Sequence, residues 1–214
     1  MGCQIPTNSE NKVLKLGFEF KYFGTVYSEI NINENGFVCL GRNEACDGFI
    51  ITRPYPHDIL VGLNFDLDLW GRYGRKRGQI YFKKLCPDTA AADYTLVKGF
   101  LNDFNPRFSP KNMFSITFDE VWEYYASNRN PITPASFQIF LVSDDIMSYV
   151  IFKYTSCLKG ETLLASSGLN HNNQGILESV NIIDGEQCTG SNVNERGVWV
   201  FEAKSISSRK SFFF

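Results

Sequence analysis

The sequence predicts a mainly β fold, an antiparallel β-sandwich with one helix between its strands. Short segments of alternating or β-branched and aromatic character recur along the 214 residues, separated by Gly, Asn, Asp and Pro. Between two of them, Asn35-Gly36 is a tight hairpin signal. Only residues 87–104 have helical apolar spacing, so the chain lacks the crossover helices that parallel pairing needs.

The first strand is expected at Leu16–Tyr22, where Phe18 and Phe20 alternate with Glu19 and Lys21, and the second at Val26–Asn33. Phe37–Gly41 follows the hairpin. Asn and Gly fit the two central positions of a type I′ turn, because both positions need positive φ. That register pairs Glu34 with Phe37, Asn33 with Val38 and Ile32 with Cys39. It places Ile30, Ile32, Phe37 and Cys39 on one face, the better core candidate, and Asn31, Asn33, Val38 and Leu40 on the other. Further strands are expected at Ile59–Leu69, Gly78–Leu85, Asn112–Trp122, Ala135–Ser143, Tyr149–Thr155, Thr162–Leu169, Leu177–Ile183 and Gly197–Lys204. Phe18, Phe20, Phe137, Phe152 and Phe201 fall on alternating positions and are expected in the core. In the helical stretch, Asp88 or Thr89 is the expected cap, and Ala92, Leu96, Val97, Phe100, Leu101 and Phe104 form the apolar side. The helix should lie across one face or end of the sandwich. The resulting organisation is a polar leader at 1–12, one domain at 13–204 and a tail at 205–214 ending in three phenylalanines.

A formal charge of −2 with dispersed basic residues argues against a nucleic-acid partner. Arg72–Arg77 (RYGRKR) is the one basic cluster, and its flanking glycines read as a solvated loop tip. The six cysteines include no C-x-x-C pair, and with only His57 and His171 available a zinc site is not expected. Their even number fits an oxidised domain, with Cys39, Cys46, Cys157 and Cys188 as disulfide candidates; a Cys39–Cys46 bridge would staple the loop after the hairpin. Residues 1–13 have no apolar signal-peptide region, no stretch is long and apolar enough for membrane insertion, and no N-x-S/T sequon occurs. The expectation is a domain cut from a longer secreted protein.

The order of the segments resembles the nidogen-like extracellular (NIDO) domain. LGFEFKYFGTVYSEININENGFVCLG (Leu16–Gly41) is similar to that family's aromatic-rich opening strand, Phe-Gly turn and Asn-Gly hairpin. ILVGLNFDLDL (Ile59–Leu69) resembles its strand ending in Asp-x-Asp, here Asp66 and Asp68, although Asn64-Phe65 stands where the family usually has a Trp. GQIYF, FSITFDEVWEYY, SFQIFLVSDDIMSYVIFKY, SSGLN and SNVNERGVWVFE resemble later blocks, so the likeness runs from about Val13 to Lys204. Cys39 stands where the family often has Ser or Thr. The resemblance implies a non-catalytic module of secreted or membrane-anchored multidomain proteins, partnered by other matrix or cell-surface proteins, and it brings no cofactor or ligand site.

The residues themselves carry little chemistry. G-x-S-x-G, H-E-x-x-H, P-loop and dinucleotide motifs are all missing, and both histidines read as loop residues. Asp119 and Glu120, adjacent in a strand, should point to opposite faces. Asn64, Asp66 and Asp68 share a strand face and are the one candidate calcium set; they need loop carbonyls or further acids such as Asp144 and Asp145 to complete it, and a solvated face is the simpler expectation. The alternative function is a carbohydrate-binding or glycoside-hydrolase-like sandwich built around Asp66, Asp68 and Trp70. Trp70 and Tyr124-Tyr125 sit at strand ends or loops, where aromatics serve partner recognition or rim packing.

Overall fold

The computed structural model describes residues 13–41, 46, 57–63, 67–69, 78–123, 134–157, 167–171, 176–182 and 186–204. They form two antiparallel sheets. The first runs β1 (Val13–Tyr22), β2 (Thr25–Asn33), β3 (Phe37–Leu40), β4 (Ile59–Val61), β10 (Ser167–Asn170), β11 (Ile176–Ile182). The second runs β12 (Val198–Glu202), β9 (Ser148–Ser156), β8 (Ala135–Ser143), β7 (Asn112–Glu123), β5 (Leu67–Asp68), with β6 (Gln79–Leu85) also paired to β7. The expected β-sandwich is what forms. Leu16, Phe20, Ile30, Val38 and Leu60 of the first sheet pack with Phe118, Phe137, Ile139, Phe152 and Phe201 of the second in one buried cluster.

The hairpin register differs from expectation by one residue. Asn33 pairs with Phe37, Ile32 with Val38, Asn31 with Cys39 and Ile30 with Leu40. The loop is three residues, not two, and among 34–36 only Gly36 takes positive φ, at 86°. The Gly36 amide donates to Asn33 O at 3.2 Å, and the Asn35 amide donates to Asn33 Oδ1 at 2.8 Å. A one-residue slip exchanges faces. Ile30, Val38 and Leu40 therefore line the main core, with Ile32 packed against it. Phe37 and Cys39 lie on the opposite face, where with Cys46, Ile59 and Val61 they make a second small core.

The expected strand Ile59–Leu69 is divided. β4 pairs with β3 in the first sheet and β5 pairs with β7 in the second, so the chain changes sheets after Val61. Gly62 and Leu63 donate to Gly36 O, both at 3.0 Å, while Gly62 O accepts from Tyr154 Oη at 2.5 Å and Ser167 Oγ at 2.8 Å. A side chain at Gly62 would collide with the Phe137 ring.

Helix α1 (Ala91–Phe104) lies on the outer face of the second sheet and buries Val97, Phe100 and Leu101 against Phe140, Val142, Ile151 and Val200. Ala92, Leu96 and Phe104, expected on its packed side, are exposed. Ala90 occupies the cap position with no side-chain bond, so neither Asp88 nor Thr89 caps; the Thr89 and Ala90 amides instead close a turn onto Cys86 O. At Glu120 the strand bulges into positive φ, at 50°, so the simple alternation expected of Asp119 and Glu120 is broken there.

Candidate functional site

Pairing of β4 with β10 brings together the residues at their ends, Asp58 and His171. Asp58 is 3% exposed; its Oδ1 lies 2.8 Å from His171 Nδ1 and its Oδ2 accepts from Tyr27 Oη at 2.7 Å. Burial, then the hydrogen bond to Asp58 and its charge, raise Tyr27 well above the usual tyrosine range. Tyr22, raised chiefly by burial and then by the Asp58 charge, donates to Asn170 O at 2.7 Å. Phe23, in positive φ at 47°, stacks on His171 with ring centroids 4.7 Å apart. An aspartate–histidine contact is half of a proton relay. Here both carboxylate oxygens are engaged by groups from separate strands, so the cluster acts as a latch joining β2, β4 and β10.

The β8–β9 turn and the β1–β2 turn form a different feature. Asp144 Oδ1 accepts the Ile146 and Met147 amides at 2.9 and 2.7 Å, and Asp145 adopts positive φ, at 76°. Asp145 is held from three sides, through its main-chain oxygen by Lys21 Nζ at 2.7 Å and through its carboxylate by Lys111 at 3.0 Å and Asn112 at 2.8 Å. This rigid turn leaves Ile146 75% exposed, beside Val26 at 50%. Between them opens a cavity of about 300 Å³, walled by Lys21, Met147, Glu202 and Lys204. The sequence signal for this feature was an Ile-Met pair inside an otherwise polar turn, SDDIMS.

Cys39 is joined to Cys46 and Cys157 to Cys188, Cys86 is also half of a disulfide, and no described cysteine is free. Asn64, Asp66, Trp70, Tyr124, Tyr125 and 72–77 lie outside the described residues. The Asp68 backbone pairs with Trp122 at one end of β7, whereas Asp144 and Asp145 follow Ser143, which pairs with Asn112 at the other end. Ten residues of strand separate the two ends, roughly 33 Å, so these acids cannot complete a set with Asp68. Among the described residues, no cluster of His, Cys, Asp and Glu could hold a metal, and no helix is long and apolar enough to cross a membrane.

The family model described as nidogen-like domain matches residues 28–205. Alpha-tectorin of Gallus gallus is 25% identical over 218 residues, covering 88% of this chain and 9% of the relative. The alpha-tectorins of Mus musculus and Homo sapiens are each 27% identical over 143 residues, covering 66% of this chain and 6% of theirs. The chain thus spans less than a tenth of the curated relatives it matches. No solved structure matches it.

Proposed function

Because the chain belongs to the nidogen-like domain family, modules of extracellular-matrix type, we propose that it is a non-catalytic adhesion domain that binds another matrix or cell-surface protein. The reading places it outside the cell, within a larger multidomain protein, where paired cysteines persist. One observation carries the contact surface: Ile146, the most exposed large apolar residue described, is held in a fixed turn beside Val26 and a groove. An apolar side chain ordered before binding loses little entropy on docking, which is what makes an anchor residue effective. The surrounding lysines and carboxylates supply the polar rim that such an anchor needs.

The test is surface plasmon resonance of the intact chain against a panel of recombinant matrix and cell-surface ectodomains. At least one should bind, and Ile146→Asp should weaken that binding at least tenfold with an unchanged melting temperature. A panel without binders, or binders indifferent to Ile146→Asp, overturns the reading.

A further inference from the structure

The outer face of the second sheet changes character along one line. On β6, β7, β8 and β9 the outward positions at one end are Leu85, Met113, Phe140 with Val142, and Tyr149 with Ile151, all buried beneath α1 and its following loop. Continuing along the same strands, they become Tyr81, Thr117, Gln138 and Lys153, which are registered side by side. α1 covers the apolar half and stops there. The polar half is about 14 Å wide across four strands, and Tyr81 stands on it 51% exposed.

We propose that this polar half-face binds a short neutral oligosaccharide carried by a glycoprotein partner. The Tyr81 hydroxyl bonds the Gln79 side chain on the same face, and the residue is half exposed. A pyranose presents an apolar C–H face to such a ring and a rim of hydroxyls to its neighbours. Thr117 is the direct neighbour of Tyr81, and from the next strand Gln138 Nε2 donates to Thr117 Oγ1 at 3.0 Å, which leaves the Gln138 carbonyl oxygen and the Thr117 hydroxyl proton to meet sugar hydroxyls. Asp119 and Ser136 extend the same polar row. The face carries both signs and no one-sign field: Lys83 is paired with Asp93 at 3.4 Å, Lys153 lies over the Phe100 ring at 5.8 Å, and Asp119 adds a carboxylate to the same row. A polyanion would need a one-sign field, and a protein anchor would need a wider apolar area than a single ring. These 214 residues contain no N-x-S/T sequon.

The experiment titrates the isotope-labelled intact chain with N-acetylglucosamine trimer, with mannotriose and with a heparin hexasaccharide, following backbone amide shifts. A neutral trimer should shift the amides around Tyr81, Thr117 and Gln138. Tyr81→Ala should reduce that affinity at least tenfold and Tyr81→Phe should keep it, with melting temperatures unchanged. In a second arm, a glycoprotein partner should lose this contribution after enzymatic deglycosylation. The proposal is overturned by absence of shifts at millimolar neutral trimer, by shifts with heparin alone, by shifts elsewhere on the domain, by Tyr81→Ala binding as wild type, or by a partner indifferent to deglycosylation. Ile146→Asp leaves this titration untouched, so failure here and failure of the protein-contact reading are separable.

Discussion

Asp58 shows how a buried charge is tolerated when strands from three parts of the chain each bring a polar group to it. His171 takes one oxygen and Tyr27 the other, and Phe23 covers the imidazole. None of this is legible in the sequence, where HD at 57–58 and NH at 170–171 read as two loops more than a hundred residues apart; only β4–β10 pairing makes them neighbours. The tyrosines give the cluster a pH signature. Tyr22, Tyr27 and the buried Tyr154 are all raised, with burial the largest cause in each. The unfolded chain ionises its tyrosines near pH 10, while the fold retains those protons. Stability is therefore fully present below about pH 9 and falls as pH rises past 10, the fully buried Tyr22 and Tyr154 contributing most and the solvent-screened Tyr27 less. Urea unfolding between pH 7 and 11.5, with the disulfides intact, should show a plateau followed by this decline, and Tyr27→Phe should make the decline shallower. A flat profile to pH 11.5 would contradict the burial of these hydroxyls.

Strands and the helix were largely legible because alternation and turn residues act locally, whereas register and sheet membership are settled by distant contacts. Asn35-Gly36 marks a hairpin whichever loop forms, but the three-residue loop is chosen by tertiary bonds: Gly36 O accepts from Gly62 and Leu63, and Asn35 Oδ1 accepts from Leu67 N at 2.9 Å. Those bonds also explain why Ile59–Leu69 reads as one strand yet serves two sheets. The polar half-face escaped the sequence for a related reason, since Tyr81, Thr117, Gln138 and Lys153 share a row only through the register of β6, β7, β8 and β9. Edge protection is likewise tertiary. β12 pairs with β9 on one side, and on its other side the Asn192 amide bonds both backbone groups of Val200, donating to its oxygen at 2.7 Å and accepting from its nitrogen at 2.8 Å. The side chain thus takes the place of a neighbouring strand. Asn192→Ala should cost about 1–3 kcal/mol in chemical denaturation and increase concentration-dependent association in sedimentation, because Val200 regains an unpaired edge. Unchanged stability together with a monomeric variant would assign the amide no protective role.

For the molecule as a whole, the question is what ties two sheets of different strand order into one unit. The shared core supplies most of the cohesion, since residues of both sheets form one cluster. A disulfide adds to it. Cys157, just past β9 of the second sheet, is bonded to Cys188, which precedes β12 of the same sheet, across a sequence separation of 31. The intervening chain leaves to form β10 and β11 of the first sheet, so the bond closes a loop whose contents belong to the opposite layer. Cross-linking a loop of this length removes unfolded-state entropy worth about 4 kcal/mol. The Cys39–Cys46 bond spans only seven positions within the small outer core and restricts the unfolded chain less. Replacing Cys157 and Cys188 together by serine should accordingly lower stability by about 4 kcal/mol, while the Cys39/Cys46 double variant loses less in the unfolded-chain term. Amide exchange locates the effect: without the Cys157–Cys188 bond, protection in β10 and β4 should fall more than in β7 and β8, because the first sheet's far half is what that loop holds. Uniform loss of protection across both sheets would mean instead that the core alone couples the layers, with the disulfide acting only on the unfolded chain.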